Sequence, residues 1–247
     1  MVGAAAAVLS SRRTAALAAV LAALVVWDAG AGLLPSLSHW PGVLAISLLV
    51  MPLTLTVPWL SLPLSSTRAA LPLAACFVAL AALLDLAGLG ALFNVAKLLA
   101  LTMVGYVFMQ VFEALSWVVL VALIVPWVDA LSVWHGPTQY VVSQQPSLFD
   151  RISIAFRLPG NEGSANLGPP DILFFALFLA AAERFGLRVG WTWLCMVGLL
   201  TLTLILTTAF DVSGLPALPA IALGFLLPNA DLIWRAWRQR GLEVRSG

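Results

Sequence analysis

Apolar runs of about 20 residues recur along the chain, and they restrict its possible folds more than any other feature. A helix of that length crosses a hydrocarbon core of about 30 Å, because each residue adds about 1.5 Å. Hydrophobic residues make up 62% of the 247 residues and charged residues 9%, against about 25% charged in soluble domains. The sequence therefore predicts an all-α, multi-pass bundle of transmembrane helices.

The hydropathy pattern predicts eight membrane spans, with nine as the alternative because the boundary near residue 88 is weak. The spans cover residues 14–34, 43–63, 68–87, 89–110, 114–134, 169–184, 188–209 and 214–234. We divide the chain into an N-terminal region, residues 1–113, with four spans, and a C-terminal region, residues 114–247. Between the fifth and sixth spans, the polar loop 135–166 must leave the hydrocarbon. We interpret the first apolar run as a retained helix rather than a cleaved signal peptide.

Basic residues predict the orientation in the membrane. With eight spans, Arg12, Arg13, Arg68, Arg184, Arg188 and the basic C-terminal segment all fall on one side. The positive-inside rule makes that side the cytoplasm, so the C-terminus is cytoplasmic and the 135–166 loop faces outward, with the cell membrane the expected location. A net charge of +1 gives no support for a nucleic-acid partner, and the lipid bilayer is the expected surrounding.

Ionisable residues within apolar segments are functional candidates, because each costs about 2.5–3.5 kcal/mol to insert. Asp28 and Asp231 lie near span ends, where water can reach them, and Asp85 has Lys97 as a possible structural partner. The full set of candidates is Asp28, Asp85, Glu113, Asp129, Asp171, Asp211 and Asp231, together with Lys97.

Asp129 and Asp171 differ from the other candidates because one loop relates their positions. The helix that carries Asp129 must end at Gly136 and Pro137. Asp129 lies seven residues before Gly136, which is roughly 10 Å of helix. Asp171 follows Gly168, at the other end of the same loop. Consecutive spans run antiparallel, so the two carboxyl groups are predicted to meet at one face of the membrane.

Two adjacent carboxyl groups share a proton, because both cannot ionise cheaply. The ionised member can activate a water molecule while the protonated one donates to a leaving amine. Pro169 and Pro170 are tolerated in a first helical turn, where the helix dipole favours an anion. Asp171 is therefore predicted to be the more easily ionised member.

A third element lies at the start of the last span, in residues 213–225, "SGLPALPAIALGF". Pro216 and Pro219 remove two backbone donors. Two conformations are open for this stretch. One is an extended, non-helical backbone, which in a membrane must be covered by protein or water. The other is the start of a helix, with proline in its first turn.

Together these stretches resemble the presenilin and signal peptide peptidase family of intramembrane aspartyl proteases. That family has an aspartate in a Tyr-Asp pair, a second in a Gly-x-Gly-Asp motif at the start of the next helix, and Pro-Ala-Leu opening the last helix. The counterparts here are Val128-Asp129, Gly168-Pro169-Pro170-Asp171 and Pro216-Ala217-Leu218, followed by Pro219. The resemblance covers about residues 114–234. It departs from the family at Val128, in place of Tyr, and at Pro170, in place of Gly.

The resemblance implies a presenilin-like bundle that hydrolyses peptide bonds within transmembrane helices of membrane-protein or signal-peptide substrates. Asp129 and Asp171 would be catalytic. The residues that would shape the site and bind substrate are Gly168, Pro169, Pro170, Pro216, Ala217, Leu218 and Pro219. No cofactor is implied, the partner is a transmembrane helical peptide, and accessory subunits and the branch of the family stay open.

Two other functions also stay open. A proton-coupled transporter can use paired membrane carboxylates, and it would be expected to show inverted repeats and centrally placed aspartates. The second alternative is a catalytically inactive presenilin-like protein, because Val128 and Pro170 depart from the family's motifs. No metal centre is predicted from the separated residues His39, His135, Cys76 and Cys195, and both cysteines are expected to be buried.

Overall fold

The computed structural model describes residues 10–135, 149, 151–160, 164–210, 212 and 215–246. This part of the chain is mostly helical and contains one two-stranded antiparallel sheet. In chain order its elements are α1 (Ser11–Gly30), α2 (His39–Ala45), α3 (Met51–Ser61), α4 (Ala70–Leu86), α5 (Gly90–Gln110), α6 (Leu115–His135), β1 (Ile154–Arg157), β2 (Ser164–Leu167), α7 (Pro169–Arg184), α8 (Val189–Ala209), α9 (Leu218–Leu226) and α10 (Ala230–Ser246).

Five helices of the described residues are long and apolar enough to cross a membrane. One of them runs through α2 and α3, which a π-helical turn at Ile46–Val50 joins. The five are Ser11–Leu33, His39–Leu64, Gly90–Gln110, Leu115–Val133 and Val189–Ala209. The three other predicted spans appear as two shorter helices, α4 and α7, and as the pair α9 and α10. A multi-pass membrane protein is therefore supported, while the count of eight spans stays a prediction.

The weak boundary near residue 88 is a tight turn between two helices. Gly88 has φ +70, a left-handed conformation that glycine adopts without the strain of a Cβ atom. Its N–H bonds to the carbonyl of Asp85, and the N–H of Leu89 bonds to that of Leu84, which closes the end of α4. The helix pair α4 and α5 is thus separated by three residues.

Helix α7, which carries Asp171, is the centre of the bundle. Every residue from Phe175 to Ala182 is at most 1% exposed, and α7 contacts helices α3, α5, α6, α8 and α9. A helix that other helices surround on all sides can be short, because its ends need not reach both edges of the hydrocarbon. The apolar sequence of α7 accordingly shows no polar face.

The hairpin of β1 and β2 covers one end of the bundle, which we call the hairpin end. Asp28 near the end of α1, Asp85 near the end of α4 and Asn94 near the start of α5 all contact the hairpin segment. At the opposite end, Arg188 before α8 binds Asp231 at the start of α10. Helices α1 and α4 therefore end, and α5 and α7 begin, at the hairpin end, as expected for antiparallel successive spans.

The close packing of α5 against α7 predicts a specific effect of one methyl group. A Cβ atom at Gly105 would lie 2.5 Å from the carbonyl oxygen of Leu173 and 2.9 Å from Cβ of Ala176, so Gly105→Ala forces the helices apart. We expect a loss of about 1–3 kcal/mol of stability, measured as thermal unfolding in detergent. The control Gly198→Ala, on α8, has nothing within 4 Å of the new Cβ and should leave stability unchanged or raised. Equal effects of the two substitutions would contradict this packing.

Candidate active site

The hairpin connects the two aspartate-bearing helices and leads directly into Asp171. Ile154 of β1 pairs with Leu167 of β2, and Arg157 pairs with Ser164. Ile154, Phe156 and Leu167 are buried against the bundle. Strand β1 and most of β2 thus lie within the polar loop 135–166. Positions 136–148, 150 and 161–163 of that loop lie outside the described residues.

Asp171 is the third residue of α7, and its carboxylate closes the start of that helix. Gly168 is the N-cap, with extended dihedrals of φ −65 and ψ 154. The N–H of Gly168 donates to Oδ2 of Asp171 at 2.9 Å, while the N–H of Asp171 donates to the Gly168 carbonyl at 3.1 Å. Because glycine has no side chain, only the acidic half of a capping box is present. A Cβ atom at Gly168 would lie 3.2 Å from Oδ2, so glycine leaves room for this bond.

The two prolines occupy the first turn of α7, as predicted. Pro169 and Pro170 need no backbone N–H there, because the first N–H groups of a helix have no intrahelical acceptor. Pro170, which stands where the protease family has glycine, is exposed on the surface. Val128, which replaces the family's tyrosine, is 58% exposed on α6 and points away from the bundle.

Asp129 lies on α6 and binds the start of the last membrane segment. The backbone N–H of Leu218 donates to Oδ2 of Asp129 at 3.0 Å, and the neighbouring N–H of Ala217 also interacts with this carboxylate. The Asp129 side chain is half-buried between α6 and α9, which pack on each other. The first aspartate is therefore bonded to the Pro-Ala-Leu stretch itself.

The Pro-Ala-Leu stretch combines the two conformations considered for it. Pro216 and Ala217 lie outside the helix, and α9 begins at Leu218 with Pro219 in its first turn. Ala217 adopts the helix start, the second of the two conformations, because its dihedrals of φ −89 and ψ −28 are helical. Ala217 caps α9, and its carbonyl accepts the N–H of Ile221, which fixes this conformation.

The two aspartates lie on helices that touch each other. Helices α6, α7 and α9 contact one another pairwise, so the segments that carry Asp129, Asp171 and Leu218 pack together. Among the hydrogen bonds of the described residues, none joins the two carboxyl groups directly. Each carboxyl group instead accepts a hydrogen bond from a backbone N–H. Since both carboxylates have such a donor, these bonds do not decide which ionises first. That Asp171 is the more easily ionised member stays a prediction.

Four polar residues of the N-terminal region hold the hairpin in place. Asn94 binds the backbone of Ala155 twice, through Nδ2 to the carbonyl at 2.8 Å and through Oδ1 from the N–H at 3.1 Å. The other three residues pair with charges or carbonyls of the same segment: Asp85 with Arg151, Asp28 with Arg157, and Lys97 with the carbonyls of Arg151 and Ser153. These contacts connect the N-terminal helices to the start of α7.

Two expectations for these residues are wrong. Asp28 is 6% exposed rather than accessible to water, and it forms an ion pair with Arg157, whose Nε lies 3.1 Å from Oδ1. Asp85 pairs with Arg151 instead of Lys97, since the ammonium group of Lys97 points to the hairpin carbonyls. The sequence contains the charges, but nothing in its local pattern identifies partners more than 50 residues away.

The remaining candidates do not join the aspartate pair. Asp231 forms an ion pair with Arg188 at the opposite end of the bundle, Glu113 is exposed, and Asp211 lies outside the described residues. Cys76 is exposed on α4, which corrects the expectation of a buried cysteine, and Cys195 is half-buried; both are free thiols. Within the described part of the chain, His, Cys, Asp and Glu form no cluster of three that could hold a metal ion.

The hydrogen bonds of Asn94 predict how firmly the hairpin is held. Asn94→Ala removes two bonds to Ala155, worth about 1 kcal/mol each, so exchange of the Ala155 amide should become roughly 30-fold faster. Hydrogen–deuterium exchange with mass spectrometry of the 151–157 segment measures this. Thr102→Ala is the matched control on α5, because the hydroxyl of Thr102 bonds to the Leu98 carbonyl of its own helix. Unchanged exchange in Asn94→Ala would refute the anchoring role.

The bond between Asp129 and Leu218 predicts different stabilities for two substitutions at one position. Asp129→Asn keeps a carbonyl oxygen that can accept the Leu218 N–H, whereas Asp129→Ala leaves that N–H without its acceptor. Thermal unfolding should show Asp129→Ala to be less stable than Asp129→Asn by about 1–3 kcal/mol. If both variants unfold at the same temperature, the hydrogen bond does not hold the two segments together.

Comparison with known proteins assigns no family to this arrangement. The chain matches no protein-family model, no curated protein and no solved structure. Its functional interpretation therefore depends on the motifs of its own sequence, on the bond between Asp129 and Leu218, and on the packing of the helices that carry Asp129 and Asp171.

Proposed function

We propose that the chain is an intramembrane aspartic endopeptidase that hydrolyses peptide bonds within transmembrane helices. One observation carries the proposal. Three stretches far apart in the sequence, around Asp129, Asp171 and Leu218, lie on three mutually contacting helices, and Asp129 bonds to the Leu218 N–H. A protease of this class needs the same three stretches together.

The reaction assigns one role to each carboxyl group. The ionised carboxyl accepts a proton from a water molecule as the water oxygen attacks the scissile carbonyl carbon. The protonated carboxyl then donates its proton to the amide nitrogen as the C–N bond breaks, which releases an amine and a carboxylic acid. Contacts with Leu218 and Gly168 keep both side chains oriented, so less ordering is needed at the moment of reaction.

An unwound substrate segment has a natural docking edge on β2. The bonds from Asn94 to Ala155 and from Trp27 Nε1 to the Arg157 carbonyl, at 3.3 Å, occupy the outer edge of β1. Because antiparallel pairs alternate, Ser164, opposite Arg157, directs its backbone groups away from β1. A substrate strand added there would run beside the start of α7, and so close to Asp171.

The transporter alternative fits the arrangement less well. Paired carboxylates of a carrier are expected at the midplane, between repeated half-bundles. Here Asp171 lies in the first turn of α7, directly after β2 at the hairpin end of the bundle. This position supports a site that meets water at one membrane face.

The proposal is tested by reconstituting the full chain in lipid with helical membrane peptides and identifying products by mass spectrometry. Asp129→Asn and Asp171→Asn should each reduce cleavage by at least about 10²-fold, since general acid–base groups contribute about 10²–10⁴. The control Asp231→Asn removes a carboxylate at the opposite end and should cleave at the wild-type rate. Wild-type-like cleavage by either site variant contradicts the paired-aspartate mechanism. If the wild-type chain cleaves none of the peptides, the result favours the catalytically inactive alternative.

Substrate docking on β2 predicts an effect on binding more than on chemistry. Ser164→Pro removes the backbone N–H at the outer edge, at a position where a proline does not interrupt pairing with β1. We expect KM to rise several-fold with little change in kcat. Ser164→Ala, which keeps the N–H and loses only the hydroxyl, should match the wild type. An unchanged KM in Ser164→Pro would exclude this edge as the docking strand.

A further inference from the structure

The last helix, α10, has two unlike faces. Leu232, Ile233 and Ala236 are half-buried and pack against the bundle. Arg235 and Arg238 are exposed and three residues apart, so the helix places them side by side, away from those packed residues. Two exposed arginines are costly in hydrocarbon. This face of α10 therefore meets either water or lipid headgroups.

Two tryptophans flank the arginine pair. Trp234 and Trp237 are 55% and 64% exposed. Trp234 precedes Arg238 by one helical turn, and the guanidinium carbon of Arg238 lies 5.1 Å from the centroid of the Trp234 ring. Tryptophan concentrates at the boundary between hydrocarbon and water, where its ring is apolar and its N–H is wet. Exposed arginines beside exposed tryptophans are typical of a helix at a membrane surface. We call Trp234, Arg235 and Arg238 the arginine face.

The acid beside the arginine face is already neutralised. Asp231 lies one turn before Arg235, on the same side of α10. Arg188, from the segment before α8, binds both oxygens of its carboxylate, with bonds of 2.6 and 2.8 Å. The charge of Asp231 is thus balanced by Arg188, and the arginine face keeps the positive charge of its own two residues.

We infer that the arginine face binds the headgroups of anionic phospholipids. The guanidinium groups of Arg235 and Arg238 contact phosphate oxygens, and the Trp234 ring lies beside them between the headgroups and the acyl chains. Arginine suits this role because it stays charged and offers several donors to phosphate. The predicted cytoplasmic side is also the side of a cell membrane that carries anionic lipids. An acidic protein partner would match the charge, but the exposed tryptophan rings favour lipid.

The inference is tested with the full chain purified in detergent and mixed with equal amounts of phosphatidylglycerol and phosphatidylcholine of identical acyl chains. Native mass spectrometry gives the ratio of the two bound lipids. The wild type should retain phosphatidylglycerol preferentially. Arg235→Gln with Arg238→Gln should reduce this preference by roughly 30-fold, about 5-fold per arginine.

Two control pairs separate headgroup binding from other effects, with thermal unfolding as the check that each variant folds. Arg235→Lys with Arg238→Lys keeps the charge and should retain most of the preference. Arg12→Gln with Arg13→Gln removes the same charge elsewhere on the predicted cytoplasmic side and should also retain it.

Three results would overturn the inference. The first is equal binding of the two lipids by the wild type, and the second is a loss of preference in either control pair as large as in the glutamine pair at the arginine face. The third is binding of a polyglutamate peptide that depends on Arg235 and Arg238 while phosphatidylglycerol is not preferred, which would assign the arginine face to an acidic protein partner. These outcomes do not depend on proteolytic activity.

Discussion

Polar groups inside a bilayer must bond to one another, because hydrocarbon offers no hydrogen-bond partners, and this requirement explains most long-range contacts in the chain. The carboxylate of Asp129 accepts the N–H of Leu218, which the start of α9 leaves without an intrahelical acceptor. In the same way, the carboxylate of Asp171 accepts the N–H of Gly168 at the start of α7. Each aspartate therefore binds a backbone N–H at the start of a helix, and these two helices, α7 and α9, pack against each other.

The hairpin extends the same principle to the N-terminal region. Asp28, Asp85, Asn94 and Lys97 would each be costly in lipid alone, and all four bind the segment 151–157. This segment leads through β2 into α7. The N-terminal helices thus have a structural part in placing Asp171, although none of them carries a residue of the proposed catalytic pair.

The sequence predicted the helices and the placement of Asp129 and Asp171 on neighbouring helices, because both follow from general constraints. Apolar length predicts a helix, and antiparallel neighbours bring the two ends of one loop to the same face. The partners of Asp28 and Asp85 were not predictable, since Arg157 and Arg151 are distant in sequence and no periodic pattern links them. The two prolines of the Pro-Ala-Leu stretch left an extended backbone and a helix start open, and the local pattern could not choose the helical conformation that Ala217 adopts. The length of α7 was predicted, but the burial of every residue from Phe175 to Ala182 was not, because an apolar run does not distinguish lipid from protein contact.

The central claim is that Asp129 and Asp171 face each other across one site. The most direct measurement is cross-linking of Asp129→Cys with Asp171→Cys, in a chain whose native Cys76 and Cys195 are replaced by Ala, reconstituted in lipid. Mild oxidation or a short bifunctional thiol reagent should join the two cysteines rapidly, as seen by the pairing of their proteolytic fragments. The control pair, Asp171→Cys with Asp231→Cys, lies at opposite ends of the bundle and should not react. If Asp129→Cys and Asp171→Cys fail to cross-link, or react no faster than the control pair, the two carboxyl groups do not share a site and the account is wrong.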